Sequence, residues 1–505
     1  MFGFGIRSLL SKPLAAYIAY LDKQWINQPE KAQERVFQYL IQSAKDTVFG
    51  KDHDFAHIKT YEDFKVRVPI QDYEGMKGYI EQIKAGKDDV LWRGRPVYFA
   101  KTSGTTSGTK YIPITRESTP NHINSARNAL LSYVHETGNS VFLDKSLIFL
   151  SGSPVLDTTG ANKILTGRLS GIVNHHVPAY LRTNQKPTYE TNCIEDWEEK
   201  LEKVIDETIK ADMSLISGIP PWVQMYFDRI QARTGKQIKD VFPNFSLFVY
   251  GGVNFEPYRK KLLDSIGKPI DSIETYPASE GLIAYQNSQT EPGLLLLLNS
   301  GIFFEFIPAD DYFKENPRRI NIEEVELNTN YALIINSNAG LWGYSIGDTV
   351  KFISKKPYKI VVSGRIKHFI SAFGEHVIGE EVEKAIQYAM SRHPETAISE
   401  FTVAPMVTPA EGLPYHEWLI AFERFPKDLE AFRLDIDQRL RELNTYYDDL
   451  ITGNITRTLV ITPLQRNAFE SYMKSIGKLG GQNKVPRLAN DRTIADELVK
   501  WGVII

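Results

Sequence analysis

Thr102-Ser-Gly-Thr-Thr-Ser-Gly-Thr-Lys110 packs six hydroxyl side chains, two glycines and a lysine into nine residues. Residues this small let the backbone come close to a ligand, so amide N–H groups and hydroxyls can converge on phosphate oxygens. Lys110 adds a point charge suited to the same oxygens. The apolar Tyr111-Ile-Pro-Ile114 follows directly, so the loop reads as a turn between strands. It is not a Walker loop: Gly104 and Gly108 enclose three residues rather than four, and Lys110 does not adjoin the second glycine. A flexible Ser/Thr/Gly connector is the plainer reading of the same composition. The segments around it decide between a nucleotide site and a connector.

Moving outward, helices alternate with strands that end in glycine and polar residues. Apolar periodicity makes the first ~60 residues helical, with Pro29 opening a second segment, and a further helix runs from Thr115 through Val134. Ser146–Leu150 is a buried strand running into Ser151-Gly-Ser-Pro154, and Asp196 to Asp212 has helical spacing. Leu215-Ile216 ends a strand that turns through Gly218-Ile-Pro-Pro221 into a helix at Trp222–Ala232. Leu247–Tyr250 stops at Gly251-Gly252, and Ile270–Tyr276 stops at Pro277-Ala-Ser-Glu-Gly281. This alternation predicts an α/β fold of layered sheets, whose ligands bind at the C-terminal ends of the strands. Residues 290–362 are strand-rich, predicting a β-barrel-like or antiparallel part with two strands joined by a turn at Asn299-Ser-Gly301. After Gly364 the pattern resets to a helix at Glu380–Met390, a strand at Glu417–Phe422 and a helix at Leu429–Leu443. The expected organisation is a large N-terminal domain over 1–363 and a small α+β C-terminal domain over 364–505.

Bulk properties exclude several classes. A net charge of −3 and a pI near 6.4 give no basic field for nucleic acid, so any phosphate site is local. The single cysteine, Cys193, permits neither an internal disulfide nor a cysteine-based zinc site, and an incidental thiol is its expected state. In the N-terminal stretch Lys12 and Pro13 interrupt any signal-peptide pattern. Leu294–Leu298 and Ile302–Ile307 are broken by Asn299-Ser-Gly301 and carry Glu305, too interrupted to span a bilayer. A cytoplasmic protein without nucleic-acid or membrane partners is expected.

Two further segments carry chemistry. In Glu274-Thr-Tyr-Pro-Ala-Ser-Glu-Gly281, Tyr276 can stack on a flat ring, Ser279 can donate to a phosphate and Glu280 can hold Mg²⁺ through hard oxygens. In isolation the same segment reads as a capped helix N-terminus. In Gly340-Leu-Trp-Gly-Tyr-Ser-Ile-Gly-Asp348, an aspartate at a strand end can accept two hydrogen bonds from a ribose diol, although Gly-Asp hairpin turns are common. Ser363–Val377, at the expected domain junction, reads alone as a basic linker with a turn.

In this order and at these separations, the segments resemble the adenylate-forming superfamily. More closely, they resemble its auxin-responsive branch of acyl acid–amido synthetases. Thr102–Lys110, the Tyr-x-x-Ser-Glu form at 276–280, Tyr344-Ser-Ile-Gly-Asp348 and Gly481-Gln-Asn-Lys-Val-Pro-Arg487 carry the match, and Asn299–Pro308 also looks like that branch. The resemblance implies that Ser103, Thr105, Thr106 and Ser107 sit on ATP phosphates. It also implies that Gly251, Gly252, Val253 and Tyr276 line the adenine pocket, Glu280 faces Mg²⁺ and Asp348 faces the ribose. Lys367 falls at the superfamily's hinge, and Lys484 is the candidate for its mobile catalytic lysine. Ser345 stands where the family usually has arginine, with Arg365 or Lys367 as possible substitutes, and Pro277 departs from the usual small residues.

The implied reaction adenylates a small carboxylic acid with ATP and Mg²⁺, then transfers the acyl group to an amino acid, with the small domain rotating between the steps. A thioester-forming acyl-CoA ligase and a non-catalytic nucleotide- or acid-binding protein are the alternatives. Trp222, Met225 and Tyr226 sit where the superfamily has its acyl pocket, though their helical spacing equally suits core packing. Arg116 and Arg127 could neutralise a carboxylate but suit a solvated helix face. His175-His176, expected on a strand, lack a third ligand and suit a structural or acid-pocket role better than a metal pair.

Overall fold

A computed structural model describes residues 5–102, 109–177, 182–252, 255–366, 369–370, 372–375, 377–476 and 487–503 of the chain. Helix α1 spans Ile6–Ile26 and α2 spans Pro29–Ala44. Pro29 opens α2 at a position whose N–H has no intrahelical acceptor, so its absence costs nothing. Helix α3 covers Thr119–Thr137 and stops at Gly138 in the left-handed region, φ 70°. Helix α4 (Trp197–Thr208) is capped by the Asp196 carboxylate, which accepts from the Glu199 N–H at 2.7 Å. Helices α5 (Pro220–Thr234) and α6 (Glu256–Ile266) each carry proline in the first turn and end at a left-handed glycine.

The strands, in chain order, are β1 (Tyr98–Thr102), β2 (Lys110–Ile114), β3 (Ser146–Phe149), β4 (Asp157–Thr159) and β5 (Ile164–Gly167). Next come β6 (Gln185–Lys186), β7 (Met213–Ser217), β8 (Leu247–Gly251), β9 (Asp271–Ala278) and β10 (Gly281–Tyr285). Then follow β11 (Leu294–Leu296), β12 (Ile302–Pro308), β13 (Asn330–Ser337), β14 (Tyr344–Lys355) and β15 (Tyr358–Arg365). A four-stranded sheet has the order β2-β1-β5-β4, and an eleven-stranded sheet has the order β12-β13-β14-β15-β11-β10-β9-β8-β7-β3-β6. From β6 to β9 the pairs are parallel, and from β9 to β12 they are antiparallel. The strand-rich region therefore continues the parallel region within one sheet. β11 and β12 are not hairpin partners across Asn299-Ser-Gly301, because β15 takes the open edge of β11 while β12 pairs with β13.

Glu305 sits inside an apolar strand and is fully buried. It is tolerated because Arg319 is 2.8 Å away, the Asn336 amide donates at 2.8 Å and the Tyr61 hydroxyl at 2.9 Å, satisfying both carboxylate oxygens. One apolar core lies under α1, α2 and α3. A second lies under α4, α5 and α6 and continues through Ile370, Val377 and Val382 into the C-terminal part. There β16 (Phe369–Ile370) pairs with β17 (Val377–Ile378), and α7 (Gly379–Arg392) precedes β18 (Ala397–Met406) and β19 (Tyr415–Arg424). Helices α8 (Leu429–Leu443) and α9 (Thr445–Thr452) and strand β20 (Val460–Leu464) follow, in a sheet ordered β18-β19-β20.

Candidate active site

The parallel strands end on one edge of the large sheet, where Gly251, Gly252, Tyr276, Ser279 and Glu280 lie and where Asp348 meets Tyr276. β9 runs to Ala278 and turns through Ser279 and Glu280 straight into β10. The segment is thus a tight strand–strand turn rather than a helix N-terminus. Asn121, near the start of α3, clamps it: its side-chain oxygen accepts from the Leu282 N–H at 2.7 Å, and its amide donates to the Leu282 carbonyl at 3.1 Å. A lone asparagine in a helical pattern carries no pairing signal, so only the folded chain shows this role of Asn121.

The Tyr276 hydroxyl donates to the Asp348 carboxylate at 2.5 Å, with both residues buried. Tyr344 is hydrogen-bonded to Glu280. Burial pushes its phenol well above the usual range, and the Glu280 carboxylate pushes it further. Two tyrosine–carboxylate pairs therefore join the β9–β10 turn to β14. Asp348 is not at a strand end. It is the fifth residue of β14, opposite Arg365 of β15, at a register break where Gly347 adopts φ 83°.

In sheet order, β9 and β14 are four steps apart. Flat strands at about 4.8 Å spacing would hold them roughly 19 Å apart, far beyond the reach of a tyrosine. The antiparallel part must curl back on itself for Tyr276 to touch Asp348, which is the barrel-like geometry expected for it.

Beside this pair, Gly251 ends β8 opposite Thr275 of β9. A Cβ on Gly251 would lie 2.3 Å from the Thr275 carbonyl oxygen, and Gly252 adopts φ 82°. Only glycine lets the end of β8 lie this close to the strand carrying Tyr276. β1 and β2 form an antiparallel hairpin that pairs up to Thr102 opposite Lys110. Ser103, Thr105, Thr106 and Ser107 lie outside the described residues, as do Val253, Lys367 and Lys484. The Lys110 ammonium is 5.9 Å from the centre of the Tyr73 ring.

The C-terminal part reaches the loop end of this hairpin through α9. The Tyr446 hydroxyl donates to the Lys101 carbonyl at 2.9 Å, Arg168 pairs with Asp449, and the Arg168 guanidinium lies 5.5 Å from the centre of the Tyr446 ring. Burial raises the Asp449 carboxyl, against the opposing pull of Arg168. Lys200, buried on α4, donates to the carbonyls of Ser151 and Asn192 at 2.8 Å each, and desolvation lowers its ammonium to about 8.

Trp222 and Met225 are half-buried on α5, and Trp222 packs on Trp197 with ring centres 4.6 Å apart. Tyr226 is fully buried, its hydroxyl 2.7 Å from that of Thr208 on α4, so it packs between two helices. His175 ends a short helix rather than lying on a strand. It contacts the Pro154 carbonyl at 2.8 Å, and His176 contacts the Tyr98 hydroxyl at 3.1 Å. Arg116 is exposed and precedes α3, while Arg127 donates to its neighbour Asn128. Ser345 is bonded by the Tyr312 hydroxyl at 2.8 Å, so a tyrosine occupies its side-chain environment. Among the described residues, no three His, Cys, Asp or Glu form a metal cluster, and no helix is long and apolar enough to cross a membrane.

A mixed sheet of this order, with candidate residues at its parallel edge and a small α+β part beside it, matches the fold of adenylate-forming enzymes. It aligns with an acyl acid amido synthetase, GH3.15, in complex with 2,4-DB at TM-score 0.61 and 14% identity, covering 97% of this chain and 96% of that one. A 2-hydroxyisobutyryl-CoA ligase aligns at TM-score 0.56 and 13% identity over 94% and 92%. The GH3 family N-terminal, central and C-terminal domain models match residues 23–172, 295–365 and 380–493, and the chain belongs to the GH3 family. A jasmonoyl–L-amino acid synthetase of Nicotiana attenuata is 24% identical over 64% of this chain and 66% of its own length, just under two thirds. An indole-3-acetic acid-amido synthetase of Arabidopsis thaliana is 22% identical over 91% and 89%.

Proposed function

We propose that the chain is an ATP-dependent acyl acid–amido synthetase. A carboxylate oxygen attacks the α-phosphorus of ATP, forming an acyl–O–P bond and expelling pyrophosphate. The amine of an amino acid then attacks the acyl carbon, the C–N bond forms, and AMP leaves with the former carboxylate oxygen. Two anions must meet in the first step, so catalysis is mainly positioning and charge stabilisation.

The observation that carries this reading is the pairing of Tyr276 with Asp348 and of Tyr344 with Glu280 beside Gly251. In it Asp348 accepts from the ribose hydroxyls while Tyr276 holds that carboxylate in place and, with Gly251, Gly252 and Val253, borders the adenine. Ser103, Thr105, Thr106, Ser107 and Ser279 bind phosphate oxygens. Glu280, with its hard carboxylate oxygens, would hold a Mg²⁺ ion bound mostly by substrate phosphates, and the ion would supply neutralisation of phosphate charge. Lys484 serves the first step as the lysine that contacts the phosphate or acyl oxygen. Domains 1–363 and 364–505 turn about Lys367 between steps. Trp222 and Met225 border the acid, with Tyr226 behind them.

Acid-dependent exchange of labelled pyrophosphate into ATP tests adenylation. Its absence with a broad panel of carboxylic acids, at a nucleotide concentration that calorimetry shows to be saturating, overturns the enzyme reading. Mass spectrometry of products formed with amino acids or with CoA identifies the acceptor; a thioester product reassigns the second step.

A further inference from the structure

Helix α1 turns a narrow face with several small residues to the body and leaves most of its large apolar residues exposed. Ser8, Ser11 and Ala15 face the body together with Ile18 and Trp25, and the Ser8 hydroxyl is 2.7 Å from that of Ser140. Facing outward, Ile6 is 77% exposed, Leu9 64%, Leu10 63%, Tyr17 58% and Tyr20 62%. Leu14 and Leu21 complete the stripe. At 3.6 residues per turn, these seven side chains fall within one arc of about 140°. Single exposed apolar residues are ordinary, but a contiguous stripe along a six-turn helix marks a surface that something covers.

Charge identifies the cover. On the same helical projection, Arg7 borders one margin of the stripe and Lys12 and Lys23 border the other. Asp22, the only acid of the helix, lies away from the stripe, where its carboxylate accepts from the Trp25 indole at 2.9 Å and burial raises its pKa. Apolar residues flanked by cations, with tyrosines in the stripe, match the boundary between acyl chains and anionic headgroups. A second copy fits poorly, because twofold packing of the stripe on itself brings cations together with no acid opposite them.

We propose that α1 is a membrane-surface helix that lays this stripe into an anionic lipid bilayer. The helix lies on the surface rather than spanning it, consistent with the absence of a spanning helix among the described residues. A bilayer partner of this kind differs from the expectation of none, which rested on the lack of a spanning apolar segment. The inference is independent of the catalytic reading, since no residue of α1 belongs to the candidate site.

Co-sedimentation of the full-length protein with vesicles tests it. Neutral phosphatidylcholine vesicles are compared with vesicles containing about 30 mol % phosphatidylglycerol. Expected are binding to the anionic vesicles, at least about tenfold weaker partitioning of Leu10→Glu/Tyr17→Glu at an unchanged unfolding temperature, and loss of the anionic preference in Lys12→Glu/Lys23→Glu. No binding to anionic vesicles, or binding that neither double variant alters, overturns the proposal. So does a dimer seen by light scattering without lipid that Leu10→Glu/Tyr17→Glu dissolves, since that assigns the stripe to a second copy.

Discussion

At the scale of single residues, the candidate site depends on groups that orient carboxylates. The Tyr276 hydroxyl restricts how Asp348 can turn, so the aspartate meets a ligand already aimed. Asp348→Ala leaves that hydroxyl without its partner in a buried place, at a cost of about 1–3 kcal/mol in stability. On the proposed function it also weakens ATP binding by roughly tenfold or more, measured by titration calorimetry with magnesium present. An unchanged dissociation constant would remove Asp348 from the nucleotide site. Glu305 poses the opposite problem, a charge kept inside by its partners. Arg319→Met strips it of the guanidinium and should destabilise the protein by about 3–5 kcal/mol in urea unfolding. Arg319→Met combined with Glu305→Leu should recover much of that loss, because the unpaired charge goes with it.

At the scale of elements, α3 links the glycine-loop hairpin to the β9–β10 turn, through Asn121 at its start. One residue on, His122 is enclosed, and burial lowers its imidazole from 6.5 to about 4. The folded protein therefore refuses a proton that the unfolded chain accepts below pH 6.5. Stability from this group is complete above that value and is lost as pH falls toward 4, by up to about 3 kcal/mol. Unfolding temperature should drop between pH 7 and pH 5 more steeply in the parent than in His122→Gln. Parallel curves over that window would clear His122 of the effect. Most element positions were legible because a helix or strand writes its period into neighbouring residues: Leu429–Leu443 is a helix over the span that spacing predicts, and Thr115–Val134 becomes Thr119–Thr137. The turn at Ser279 and Glu280 was not, since Pro, Ser and Glu before an apolar run serve a helix start as well as a strand–strand turn.

At the scale of the whole molecule, the C-terminal part rests on the large domain through Arg168–Asp449 and the Tyr446 hydroxyl at Lys101, beside the hairpin that carries the glycine loop. If the domains turn between half-reactions, these contacts belong to only one of the two arrangements. Asp449→Ala with Tyr446→Phe should then lower one half-reaction about fivefold or more and leave the other within roughly twofold. Pyrophosphate exchange read against transfer from preformed acyl-adenylate separates the two, and equal losses in both would show that the contacts merely stabilise the fold.

The sequence by itself determined where most helices and strands lie and the chemical character of the short segments at 102–110, 274–281 and 340–348, because these properties are set by residues adjacent in the chain; it misplaced the strand end at Asp348 and the state of His175. Tertiary structure alone decided that Tyr276 meets Asp348 and that Glu280 meets Tyr344. Those meetings need a sheet curled until strands four places apart come within side-chain reach, and curvature is a sum over many strand pairs that no local pattern encodes. The outward stripe of α1 was hidden for the same reason: its periodicity marks an apolar face, but only the packing of Ser8, Ser11 and Ala15 against the body shows which face was left in water.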